Sequence, residues 1–278
     1  MRLLSSRVRT APVVAVSAVM LLASAAGLAA AHLGPETAAA WTAYVSATEQ
    51  RIRGELASSR GFLAMDFARD ARAGRRAVLG GAVVVQKMET TDANGGTMEV
   101  PSALVHHWRG EVLIPGLTVA ELVAELQHGT PPTRQEDVLQ STVLERGPDW
   151  MRVYLKLQRS KVVTVVYNTE HLVTFAHYGA TRATSASKAT KIAELSAPNT
   201  PQERERPIGD DRGFLWRLNA YWRYEEVAGG VIVECESISL SRDVPAVVSY
   251  VVTPLIERTA RESMTRTLMA LKTRFVNE

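Results

Sequence analysis

Residues 213–275 constrain the fold most: an aromatic-rich alternating segment turns through Gly229-Gly230 into a second alternating segment, then into a long amphipathic helix. Phe214, Trp216, Leu218, Ala220, Trp222 and Tyr224 fall on one face of the first segment. Arg217, Asn219, Tyr221, Arg223 and Glu225 fall on the other, the period of a half-buried strand. A two-residue Gly-Gly loop sets Val227 opposite Ile232, which puts Arg223 opposite Glu236 and diagonal to Glu234. The two strand glutamates therefore read as cross-strand ion pairing on a solvated face rather than as a catalytic pair. Thr253 and Pro254 suit a helix start. Beyond them Ile256, Ala260, Met264, Leu268, Leu271 and Phe275 recur at spacings of three and four, an apolar stripe that must lie on something. Residues 245–252 form an apolar lead-in that Pro254 separates from the main helix by a break or kink, which makes residues 243–254 a candidate lid over a cavity.

Residues 1–31 read as an export signal: Arg2, Arg7 and Arg9 precede the apolar run Val13 to Leu28, and Ala29-Ala30-Ala31 offers a cleavage site. The rival reading is an uncleaved N-terminal membrane anchor. Export implies a periplasmic or secreted protein, with residues 32–278 as one domain. The sequence pI of 9.1 suggests a polyanion partner until the signal is set aside. Three of the 32 basic residues lie in residues 1–31, which hold no acid, so the remainder balances at 29 of each sign. A neutral chain lacks the electrostatic footprint of nucleic-acid binding. Cys235, the only cysteine, cannot form an internal disulfide; it shares a strand face with Val231 and Val233 and reads as a buried, inert thiol.

Ala38 to Ser58 has helical spacing, and Phe62 to Phe67 and Ala82 to Gln86 look like short strands. Arg69 to Arg76 is polar and turn-forming. Met98 to Ile114 is strand-like, and Thr118 with Glu121 makes a capping box for a helix through Leu126. Five β-type runs follow: Val138 to Arg146, Met151 to Gln158, Lys161 to Thr169, Leu172 to His177 and Arg182 to Leu195. Helix, strands, helix, antiparallel strands and a final helix give an α+β fold.

The order of these elements, and above all the segment from Gly213 to Phe275, resembles the helix-grip superfamily of START-type lipid-binding domains and polyketide cyclase-like proteins. "VHHWRGEVLIPGLTVAELVAELQ", "VVTVVYNTEHLVTF" and "RATSASKATKIAEL" are similar to segments of its exported bacterial members. The resemblance covers residues 35–276. It implies a curved antiparallel sheet wrapped around the C-terminal helix, with a cavity between them for an apolar ligand, and it carries over no catalytic residue. Where similar proteins have an aromatic, charged segment beside the cavity, this chain has "HGTPPTRQ", residues 128–135.

The chemistry-bearing residues are sparse. His106 and His107 point to opposite faces of a strand, and the inward one reads as a hydrogen-bonded interior histidine. His128, His171 and His177 are scattered without carboxylates or thiols, so no metal is expected. His32, the N-terminus after cleavage, lies too close to a helix for the copper-binding histidine of polysaccharide oxidases, which use a β-sandwich. Arg182 and Lys188 share a face with Thr184, Ala186 and Thr190, either solvent or a cavity wall able to hold a ligand carboxylate or phosphate. The signatures of phosphate loops, nucleophile elbows and zinc peptidases are missing. The expected function is therefore carriage of a lipid or other bulky hydrophobic molecule, without cofactor and with transient membrane contact. Trp216, Trp222, Tyr224, Met264 and Leu268 are the candidate wall, with Arg182, Lys188 and His107 as candidate polar contacts. The alternative is a cyclase or dehydratase in the same cavity, with His107, His177, Tyr167 or Arg182 as proton donor.

Overall fold

The computed structural model describes residues 32–128, 137–160, 164–208, 210–244 and 246–276. The expected export signal lies outside them, as do residues 129–135 of the departing segment. Helix α1 (Pro35–Leu56), a 3-10 turn (Ala64–Phe67) and helix α2 (Ala71–Leu79) come first, followed by β1 (Val84–Lys87), β2 (Ala103–Pro115) and α3 (Val119–His128). Then come β3 (Val138–Arg146), β4 (Trp150–Ser160), β5 (Thr164–His177), β6 (Arg182–Ser196), β7 (Arg204–Glu205), β8 (Arg217–Val227), β9 (Gly230–Arg242) and α4 (Ala246–Val276). The strands form one antiparallel sheet in the order β1-β2-β9-β8-β6-β5-β4-β3, with β7 beside β6. A curved antiparallel sheet with a long C-terminal helix is the helix-grip arrangement.

Alternation along β9 sorts the molecule into layers. Val231, Val233 and Cys235 face inward and bury against Met264 and Leu268 of α4 and Val119, Leu122 and Val123 of α3. Ile232, Ile238 and Leu240 face outward. Ile232 joins Phe62, Leu63, Met65 and Val78, and the other two join Trp41 and Tyr44 of α1. The sheet is thus covered on both sides. Helix α4 comes close to β2 at Gly110, where a Cβ would stand 2.7 Å from Leu268 Cδ1 and 2.8 Å from Met264 Cγ. The capping box of α3 is present: Thr118 N–H donates to Glu121 Oε2, and Glu121 N–H to Thr118 Oγ1.

Several sequence expectations change. The hairpin loop is Ala228-Gly229, and Gly230 belongs to β9, where a Cβ would meet Ile114 O at 2.2 Å. Val227 therefore pairs with Gly230, and Arg223 stands opposite Glu234 rather than Glu236. The face expected to be solvated is buried, with Arg223, Glu234 and Glu236 between 1% and 3% exposed. Phe62 to Phe67 is not a strand, because the Glu234 carboxylate accepts the Ala64 and Met65 N–H groups at 2.7 and 2.9 Å and fixes a 3-10 turn. Residues 71–79 are helical and bury Val78, where a turn was expected over residues 69–76. Residues 164–177 form one strand with an irregularity between Glu170 and His171, not two strands. Helix α4 starts at Ala246 and runs through Pro254, so the break expected there is absent.

Candidate functional site

A cavity of about 230 Å³ lies on the inner face, over β4, β5, β6 and β8. Met151, Val153 and Leu155 of β4 form one wall, with Val173 and Phe175 of β5 beside them; Leu126 of α3 and Leu271 of α4 line it from the helix side. Register explains the grouping, because antiparallel neighbours on one face repeat every second residue. Met151 pairs with Val173, which pairs with Ser187, and Phe175 pairs with Ser185, which pairs with Trp222.

Polar groups enter this apolar space along a single stripe. Thr169 Oγ1 donates to Leu155 O at 3.1 Å and lies 3.0 Å from His171 Nε2. His171 Nδ1 lies 3.3 Å from Ser187 Oγ. Ser185 Oγ and Tyr224 OH are 2.8 Å apart. Burial without a charged partner pushes the His171 imidazole down to about 4, so it is neutral at neutral pH. Burial also raises the Tyr224 phenol well above its ordinary value, against a smaller opposing effect of its bond to Ser185.

The residues expected at the site separate. Trp222 and Tyr224 line the cavity. Met264 and Leu268 are in the packed core where α4 meets Gly110, and Leu271, one turn further on, reaches the cavity instead. Trp216 precedes β8 and clusters with Trp41, Tyr44 and Leu240 on the opposite side of the sheet, its Nε1–H bonded to Asp211. Arg182 and Lys188 also face that outer layer, paired with Glu225 at 2.8 Å and Glu49 at 2.5 Å. His107 is buried there between Tyr44 OH at 2.9 Å and Glu236 Oε1 at 2.7 Å. Of the proposed proton donors, His177 is exposed at the end of β5, and Tyr167 is buried with Leu157 and Val165.

Ser185 and Ser187 carry no motif, and His171 stands only among the scattered histidines. A strand break after Thr169 would put His171 near a strand end, and the serines lie on the face of β6 opposite Arg182 and Lys188. Their signal was there: with β5 unbroken, His171, Val173 and Phe175 alternate inward with Ser185 and Ser187 beside them.

The outer layer is rich in buried charge, and most of its groups pair with one another, although Glu111 Oε2 and Glu236 Oε2 are buried without a hydrogen-bond partner. Arg223 donates to Phe62 O at 2.9 Å and to Glu55, while Arg51 bridges Glu55 and Glu236. Arg109 bonds Glu111 and Gln86. This layer fastens α1 to the sheet. No group of His, Cys, Asp and Glu able to hold a metal occurs among the described residues.

No family model matches the chain, and no curated protein matches it. Similar solved structures include a STAR-related lipid transfer protein from Xanthomonas axonopodis, 19% identical over 68% of this chain and 98% of that one, with a TM-score of 0.43. The human StAR-related lipid transfer protein 5 is 13% identical over 85% of this chain and 98% of its own, also at 0.43. The Zhui aromatase/cyclase from a Streptomyces species is 12% identical over 62% of this chain and 94% of its own, at 0.37.

Proposed function

We propose that this protein binds a small apolar molecule in the cavity between the sheet and helices α3 and α4. The observation that carries the reading is the cavity's make-up: apolar walls from four strands and two helices, with polar groups confined to one stripe. At about 230 Å³ it is below the ~300–1,000 Å³ of pockets that enclose drug-sized ligands, so its occupant is a single chain or a compact ring. Native mass spectrometry after mild purification, with titration of an uncharged apolar fluorescent probe, tests this. One-to-one binding that Val153→Trp abolishes without unfolding is expected, and a protein that takes up no apolar probe overturns the reading.

The N-terminal segment supports export as the setting for such a carrier. Recovery of a chain beginning at His32 from outside the cytoplasm is the expected result, and a chain that retains residues 1–31 in the membrane would establish the anchor instead. An enzymatic reading rests on His171, a neutral imidazole inside the cavity. Cyclisation or dehydration of a polyketide-like substrate that His171→Gln abolishes while apolar binding persists would favour it.

A further inference from the structure

We propose that the polar stripe is built to seat the neutral hydroxyl of an apolar alcohol, an inference that rests on the reading of the cavity as a site for an apolar molecule. The direction of three hydrogen bonds carries it. Leu155 O can only accept, so the single hydroxyl proton of Thr169, 3.1 Å away, is used there. The proton between Thr169 Oγ1 and His171 Nε2 must then come from the imidazole. A neutral ring with its proton on Nε2 has a bare Nδ1, and burial keeps this ring neutral. Ser187 Oγ, 3.3 Å from Nδ1, therefore donates to it, and what Ser187 turns toward the cavity is lone pairs alone.

Two residues away on the same face of β6, Ser185 shares a hydrogen bond with Tyr224. Whichever oxygen donates, one of their two protons is left over. The wall thus offers one acceptor and one donor, two residues apart on one face of β6. A hydroxyl gives one proton and takes one, so its chemistry matches both. A carboxylate has no proton for Ser187 and finds no Lys or Arg among the described lining residues, so its burial is strongly disfavoured. A plain hydrocarbon leaves both groups unmatched.

The test is displacement of a fluorescent apolar probe from the full-length chain by octanol, octane and, at about pH 8 where it is ionised, octanoate. Octanol is expected to bind roughly tenfold or more tightly than octanoate and several-fold more tightly than octane. Ser187→Ala should remove most of the preference for octanol over octane. Thr169→Val removes the acceptor that fixes the imidazole proton, so the ring can turn its proton to Ser187, whose own hydroxyl then points into the cavity. That variant should gain affinity for octanone, an acceptor only, which a packing role for Thr169 would not produce. NMR of the His171 ring is expected to show the Nε2–H form, and the Nδ1–H form overturns the relay. Equal binding of octanol and octane, or tighter binding of octanoate, overturns the hydroxyl assignment and leaves the cavity reading standing. Failure of all three to bind overturns both.

Discussion

At Gly110 the backbone of β2 comes close enough to α4 that any side chain must displace Met264 or Leu268. Gly110→Val is expected to cost about 1–3 kcal/mol, read as a lower urea midpoint at unchanged slope, because overpacking at a rigid contact forces the helix outward. An unchanged midpoint would mean the helix adapts without cost. Next to it, burial pushes the Glu111 carboxyl up to about 7, a shift that the neighbouring Arg109 offsets only in part. The folded state thus holds a proton that an unfolded chain, with its ordinary 4.5, releases earlier; this contribution favours folding at low pH and is lost as pH rises through about 7. His106 and His171, pushed down to about 4 by burial, act in the other direction: their contribution is complete above about 6.5 and is lost as pH falls toward 4. Glu111→Gln should therefore stabilise the protein at about pH 8 relative to about pH 5, by up to about 3 kcal/mol compared with the parent chain. Identical pH slopes for the two would show that Glu111 is ionised when folded.

Among the elements, α1 is one whose helix was expected but whose docking was not. Its own apolar positions were legible, and Trp41 is buried as its spacing implies. Its docking site was not, because the residues that hold it are polar and remote in the chain: Glu55 reaches Arg223 across 168 positions and Arg51 reaches Glu236 across 185. A charged strand face looks the same in sequence whether water or a charged helix covers it. Since Arg223 is 3% exposed and is shared by Glu55, Glu234 and Phe62 O, Arg223→Met should cost about 3–5 kcal/mol by leaving buried carboxylates without their cation. Thermal unfolding would read the loss, and hydrogen exchange should place it in α1. A variant as stable as the parent would mean the network is replaceable by packing. The run of antiparallel strands, the capping box and the final helix were legible for the opposite reason, since each is written in local spacing. The hairpin register failed by the assignment of a single glycine, for Gly230 serves the approach of Ile114 rather than the turn.

Taken whole, the molecule has two unlike joints: a back held by many directional ion pairs and a front held by the contact of α4 with β2, at Met264, Leu268 and Gly110. Two of the cavity's twelve lining residues were legible, since Trp222 and Tyr224 follow from alternation on β8, whereas the contribution of Leu126 and Leu271 depends on how two helices meet the sheet. The front joint also hides the single cysteine. Cys235 is 2% exposed, clusters with Met264 and Leu268, and has its thiol pushed well above the ordinary value by burial, so reagents in water reach it only when the helix lifts. Its labelling rate should therefore track the fraction of time α4 spends detached, falling when an apolar ligand occupies the cavity and rising in Gly110→Val. A rate indifferent to both would place the opening elsewhere. The chain carries its own stopwatch for the last helix, and no dye need be attached to read it.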